Sequence, residues 1–192
     1  MKIGIIVGAT REGRGTDRAA KWVARAAEKL EGADVEVLDL RDYELPFFDE
    51  AISPQYNPER KPEGAVKAWL DKLAEKDGFV VVTPEYNRSL PAVLKNALDY
   101  VAYELEKKPV ALVAHGSTGG AQAVHTLRAV TAGALGVSVP RATYIPTMAG
   151  MAFDEEGNLN EDLAANPYGP NGALQATLAD FQWYATALKD AR

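Results

Sequence analysis

No cysteine occurs among the 192 residues, which excludes disulfides and any chemistry that runs through a thiolate. Histidine is nearly as scarce. His115 and His125 are the only two, and their spacing fits no zinc motif, so no metal site is expected. Positive charge is not in excess: 21 Lys and Arg stand against 27 Asp and Glu, a formal net charge of -6. A nucleic-acid partner is not expected, because such domains usually carry a basic face. There is no run of about twenty apolar residues and no charged-then-apolar leader, so no membrane partner is expected and the expected location is the cytoplasm. Asn87-Arg88-Ser89 spells a glycosylation sequon, read here as coincidence without a secretory leader. The length suits one domain over residues 1–192, large enough for a substantial core.

Against these absences, the stretch Ile3-Gly4-Ile5-Ile6-Val7-Gly8-Ala9-Thr10-Arg11-Glu12-Gly13-Arg14-Gly15-Thr16 is rich in signal. A β-branched run reads as a buried strand, and Asp17 to Leu30 reads as an amphipathic helix with Ala20, Val23, Ala24, Ala27 and Leu30 on one side. Between them lies an anion-receiving turn. Glycines let backbone approach a ligand, and the free amides and dipole of the helix start favour negative charge. Thr10 and Thr16 offer hydroxyls, Arg11 and Arg14 charge; the alternative is an ordinary glycine turn with solvated arginines. The dinucleotide fingerprint G-x-G-x-x-G is absent. Gly8-x-x-x-x-Gly13 has P-loop spacing, but Arg14-Gly15 stands where Lys-[Ser/Thr] belongs, so a nucleotide triphosphatase is not expected.

Further strands are expected at Val35–Leu40, Phe79–Thr83, Val110–His115 and Ala142–Ile145. Helices are expected at Gly64–Lys76, Pro91–Leu105, Gly120–Leu135 and Leu174–Leu188. Alternation of this kind predicts an α/β, doubly wound parallel sheet with helices on both faces, and five strands make a flavodoxin-like count. Ligands then sit beyond the carboxyl ends of the strands, so the loops after strands one, three and four carry function. Ile52–Pro62 and Phe153–Gly172 read as irregular excursions.

The loop Thr83-Pro84-Glu85-Tyr86-Asn87-Arg88-Ser89 places an aromatic ring beside an amide, which suits a flat heterocycle; a plain turn with an exposed tyrosine is the alternative. Ser89 is expected as N-cap and Pro91 in the first helical turn. In the third loop, His115-Gly116-Ser117-Thr118-Gly119-Gly120, a ligand again reaches bare backbone at a helix start. Ser117 is not in a G-x-S-x-G elbow and His125 lies down the helix, so a serine hydrolase is not expected.

With Gly8-Ala9-Thr10-Arg11-Glu12-Gly13-Arg14, with Pro84-Glu85-Tyr86-Asn87-Arg88-Ser89-Leu90-Pro91 followed by Leu94-Lys95-Asn96-Ala97-Leu98-Asp99, and with Gly116-Ser117-Thr118-Gly119-Gly120, the chain resembles the NAD(P)H-dependent FMN reductases. That flavodoxin-like family includes quinone, azo-dye and chromate reductases, and the resemblance spans nearly the whole chain. It implies FMN as cofactor and NADPH or NADH as co-substrate. Thr10, Arg11 and Thr16 then fall at phosphate positions, Pro84, Glu85, Tyr86 and Asn87 at ring positions, and Ser117, Thr118, Gly119 and Gly120 at pyrimidine positions. Arg14, His115 and Gly116 are expected to contact the cofactor as well, Arg14 either at the FMN phosphate or at the nicotinamide nucleotide. Arg14, Arg18 and Arg88 are also open to a 2′-phosphate. Ala9 stands where these enzymes commonly have serine, and His115 where they often have an aromatic or small residue. No acid–base dyad is needed, since the flavin carries the chemistry, with Gly119 and Gly120 amides favouring the reduced ring. A small-molecule electron acceptor is implied: a quinone, azo compound, metal oxyanion or free flavin. The other reading is a flavodoxin-like electron carrier without pyridine-nucleotide activity. A homodimer or homotetramer is expected, because Leu90, Val93, Leu94, Ala97, Leu98, Val101 and Leu105, with Tyr100 and Tyr103, make the Pro91–Leu105 helix apolar over more than one face.

Overall fold

A computed structural model describes all residues from Met1 to Arg192. Five strands, β1 (Lys2–Val7), β2 (Asp34–Asp39), β3 (Gly78–Pro84), β4 (Pro109–His115) and β5 (Val137–Ile145), form one parallel sheet in the order β2-β1-β3-β4-β5. The chain winds from β1 outward to β2 and then back across to β3, so a crevice opens where the order reverses, above the carboxyl ends of β1 and β3. Residues of β3 and β4 are buried along their whole length, and β1 is buried from Ile3 onward. Such two-sided burial explains their continuous apolar runs. At the edge, β5 begins five residues earlier than expected: Ser138, Pro140 and Arg141 interrupt the apolar pattern there, as an edge strand tolerates.

The helices are α1 (Thr16–Ala27), α2 (Gly64–Ala74), α3 (Ala92–Asp99), α4 (Ala121–Gly133), α5 (Ala149–Ala152), α6 (Glu161–Ala165) and α7 (Pro170–Ala191). Alternate strand residues face opposite ways. Ile3, Ile5, Val80, Val82, Ala111 and Val113 pack with α1, α5 and α7. Ile6, Phe79, Val81, Leu112 and Ala114 pack with α2, α3 and α4. Trp69 is wholly buried, and its indole N–H donates to Ala97 O at 2.9 Å, so its polar edge is satisfied.

Two further expected elements change. The helix of Pro91–Leu105 is only Ala92–Asp99, because beyond it the Glu104 carboxylate accepts from Ala102 N at 2.7 Å and Lys107 turns through φ +55°. A side chain that takes a backbone amide competes with the helical bond. Pro91 is the N-cap, and no side chain caps the helix; Ser89 sits in the preceding turn. Most of the apolar surface expected to be wet is instead core: Leu90, Leu94, Ala97, Leu98, Tyr100, Val101 and Leu105 are buried within the chain, Val93 is half-buried, and Tyr103 is exposed. It is covered by the sheet and by the segment 43–48, where Phe48 meets the Tyr100 ring edge-on and Asn96 bonds both Pro46 O and Phe48 N. The second change is that Phe153–Gly172 contains α6 and the start of α7.

Candidate functional site

Four loops meet above β1, β3 and β4 around a cavity of about 420 Å³, a size typical of small-molecule sites. In the first loop, the amides of Gly15, Thr16 and Asp17 take no acceptor from the chain. No side chain caps α1. An uncapped helix start with free amides is a ready anion site. Arg11 lies at its exposed mouth. Its Nε donates to the Tyr86 hydroxyl at 2.8 Å and its guanidinium lies 5.8 Å from the Tyr86 ring centre, tying loop one to loop two.

Arg14 departs from the phosphate role expected of it. It is buried, donates to Ala9 O, and forms a bidentate ion pair with Asp39. The parallel register sets Val7 beside Asp39, which brings the end of β2 against the loop. Burial pushes the Asp39 carboxyl up, but Arg14 and Arg41 outweigh it and hold the group below the usual carboxylate range. Arg41 in turn donates to Thr10 O and Arg11 O. Arg14 therefore fixes the loop's shape from behind.

Loop two turns tightly. Tyr86 and Ser89 exchange both backbone bonds at 2.9 Å, and Asn87 and Arg88 take φ +49° and +65°. That is the geometry of a type I′ turn. Asn tolerates it; Arg88 is there at a cost, which positions the Tyr86 ring and is the kind of strain found at ligand sites. Glu85 faces the third loop: its Oε1 accepts from the Thr118 hydroxyl and its Oε2 from Gln122 N, both at 2.9 Å. The carboxylate thus occupies the positive end of α4.

In loop three, Gly120 sits at φ +79°, where a Cβ would lie 2.4 Å from the Ala114 Cβ, so the turn closes only on glycine. The Gly119 amide, expected to face a ligand, donates to Gly116 O at 2.8 Å; the amides of Ser117 and Thr118 take no acceptor from the chain. His115 is buried at the end of β4, with Nε2 3.1 Å from the Thr16 hydroxyl. Burial, and secondarily the charge of Arg11, push its pKa down to about 4, so the ring is neutral at physiological pH.

Of the expected site residues, Arg11, Pro84, Glu85, Tyr86, His115, Gly116 and Ser117 line the cavity, while Thr10, Arg14, Thr16, Asn87, Gly119 and Gly120 stand behind or beside its wall. The sequence reading missed the fourth wall. Met148, Ala149, Gly150 and Met151, after β5, line the cavity opposite the other loops. A Cβ on Gly15 would come within 2.6 Å of Gly150 N, so this segment is packed directly on the first loop. Ala149-Gly150-Met151-Ala152 carries no charge or hydroxyl to mark it as a site, but a loop after an outer strand of this sheet opens on the same edge.

A family model described as NADPH-dependent FMN reductase matches residues 1–149. The chain is similar to an NAD(P)H-dependent FMN reductase of Schizosaccharomyces pombe, 38% identical over 129 residues that make up 67% of this chain and 64% of that protein. It thus spans just under two thirds of the length of that relative. An NADPH azoreductase of a Bacillus species is 34% identical over 165 residues, 84% of each chain. A 2-hydroxy-1,4-benzoquinone reductase of a Burkholderia species is 34% identical over 142 residues, 69% of this chain and 70% of that one. Among solved structures, a flavoenzyme NAD(P)H:(acceptor) oxidoreductase of Paracoccus denitrificans shares the fold, with a TM-score of 0.69 at 22% identity over 97% of both chains. The matched span covers β1 through β5 and three of the four loops around the cavity, and the chain belongs to the NADPH-dependent FMN reductase family.

Proposed function

We propose that the chain is an NAD(P)H-dependent oxidoreductase that holds FMN in the four-loop cavity and passes reducing equivalents to a small acceptor of the quinone, azo, metal-oxyanion or free-flavin kind. The observation that carries this reading is the pairing of an uncapped helix start, its amides free, with an aromatic-walled cavity at the reversal point of the sheet. These residues fit a phosphate at one end and a flat ring at the other. Bound FMN supplies the hydride acceptor and donor. The chain supplies position and field. Amides of Gly15, Thr16 and Asp17, the Thr10 and Thr16 hydroxyls and the Arg11 charge would hold the phosphate. Pro84 to Asn87 would border the ring, and Ser117 to Gly120 its pyrimidine side. Neutral His115 holds the Thr16 hydroxyl in place and brings no competing charge. Residues 1–192 would work as one unit, since α7 packs back on β4 and β5. Anaerobic addition of NADPH or NADH to FMN-loaded protein tests the activity: bleaching of the flavin band is expected, and a band unmoved by either nucleotide would leave an electron carrier.

Arg11→Ala is expected to weaken FMN binding by about 2 kcal/mol, because a charge-assisted contact to phosphate outweighs a neutral hydrogen bond. Titration of apoprotein with FMN measures this; an unchanged dissociation constant would make Arg11 a solvated side chain.

The same reading includes a homodimer or homotetramer, placed in the cytoplasm. No helix is long and apolar enough to cross a membrane. Support for self-association comes from surface that the chain leaves uncovered near α3: Phe47 is 84% exposed and Tyr56 79%. Their segments both border α3, through Phe48 at Asn96 and through Gln55 beside Lys95 and Leu98, and exposed apolar surface along one element is the kind that contact surfaces use. Phe47→Glu with Tyr56→Glu is expected to lower the mass in light scattering to that of a monomer, and an unchanged mass would place any contact elsewhere.

A further inference from the structure

We propose that Met148 and Met151 form the lip that binds the oxidising substrate, and that this lip selects planar, uncharged, aromatic acceptors. The inference rests on the reading of the cavity as a flavin site. The chain has three methionines, and two of them stand together at this cavity. Both are open to solvent, Met148 at 59% and Met151 at 66%. Their backbone, by contrast, is fixed. Met151 N donates to Met148 O at 2.9 Å, Asn160 Nδ2 donates to Met151 O at 3.1 Å, and Ala149 and Ala152 are buried in the core on either side. Rigid backbone thus carries two flexible thioethers, side chains that reshape around varied apolar partners and contact aromatic rings favourably. Tyr86 borders the same cavity. Of the two charged groups there, the Arg11 guanidinium is bonded to the Tyr86 hydroxyl and the Glu85 carboxylate to loop three. With FMN bound, its phosphate takes up the Arg11 charge, so the lip itself offers apolar, polarisable surface and no free charge, which suits a neutral ring better than a hydrated ion.

The test compares three FMN-loaded proteins: wild type, Met148→Ser with Met151→Ser, and Met148→Leu with Met151→Leu. Naphthoquinone and ferricyanide serve as neutral aromatic and compact anionic acceptors. The serine pair is expected to raise the KM for naphthoquinone by about tenfold or more, equivalent to about 1.4 kcal/mol. The leucine pair should restore it. Each protein is used fully loaded, with its FMN dissociation constant measured first, and the ferricyanide KM should rise by no more than about threefold, so that the ratio of the two KM values reports the lip. Calorimetric titration with naphthoquinone, without any nicotinamide, should show the same loss as weaker binding. An unchanged naphthoquinone KM and affinity overturns the lip, as does an equal rise for both acceptors. Slower bleaching in the serine pair assigns the methionines to the nicotinamide and also overturns it. If wild type is never bleached, yet binds naphthoquinone and loses that binding in the serine pair, the lip stands and the reductase reading falls.

Discussion

Asp39→Ala is expected to lower the stability of the fold by about 3 kcal/mol, the cost of leaving a buried charge without its partner. The Arg14 side chain is 2% exposed and that of Asp39 24%. The guanidinium is therefore the member of the pair that water cannot rescue. Its Nε already has no partner, so with the carboxylate removed only Ala9 O remains to satisfy it. Loop one should loosen as well, because Asp39 also accepts from Arg41 N, and Arg41 braces Thr10 and Arg11. Urea unfolding measures the loss. A double variant, Arg14→Met with Asp39→Leu, is expected to regain most of it, since apolar side chains of similar volume can replace a buried ion pair at little cost. A change in Asp39→Ala of no more than about 0.5 kcal/mol, the value of an exposed pair, would contradict this account of the loop.

His115 should make the protein acid-sensitive in a defined window. In the unfolded chain the imidazole takes up its proton as the pH falls through about 6.5. In the folded chain it does so only near 4, because burial and the Arg11 charge oppose it. Between these values only the unfolded state binds that proton. Stability is thus fully present above about 6.5 and falls as the pH drops toward 4, by about 3 kcal/mol in all. Asp39, held below the usual carboxylate range, adds its own loss only at lower pH, as its carboxylate is protonated. His115→Gln keeps a partner for the Thr16 hydroxyl and removes the titration. Its stability, measured by urea unfolding at pH 7 and at pH 4.5, is expected to fall much less than that of wild type. Parallel losses in the two proteins would mean that His115 is not the buried neutral group described here.

The strands were legible wherever burial is two-sided. Val80, Val81 and Val82, or Ala111, Leu112 and Val113, can belong to little else than a central parallel strand. The α3 boundary was not legible, because Val101 and Leu105 continue the helical spacing while Glu104 ends the helix by taking the Ala102 amide. Their apolar character is accounted for by the chain's own core, not by a subunit contact. Arg14 looked like a phosphate ligand because its partner, Asp39, comes 25 residues later and is brought to it only by the pairing of β1 with β2. The turn at Asn87 and Arg88 was hidden for a different reason: type I′ geometry favours Asn and Gly, and Arg in the second position gives no signal. Met148 and Met151 follow Ile145, a strand end that the sequence did mark, but methionine carries no charge and no hydroxyl or amide to signal a site, so neither stood out as a cavity residue.

The most direct test of the flavin site is a side-by-side titration of apoprotein with FMN and with riboflavin, which differ by the phosphate. If the first loop receives the phosphate on the free amides of α1 and the charge of Arg11, FMN binds at least about tenfold more tightly, and the advantage shrinks in Arg11→Ala. Equal affinities for FMN and riboflavin, or no binding of either, would contradict the account.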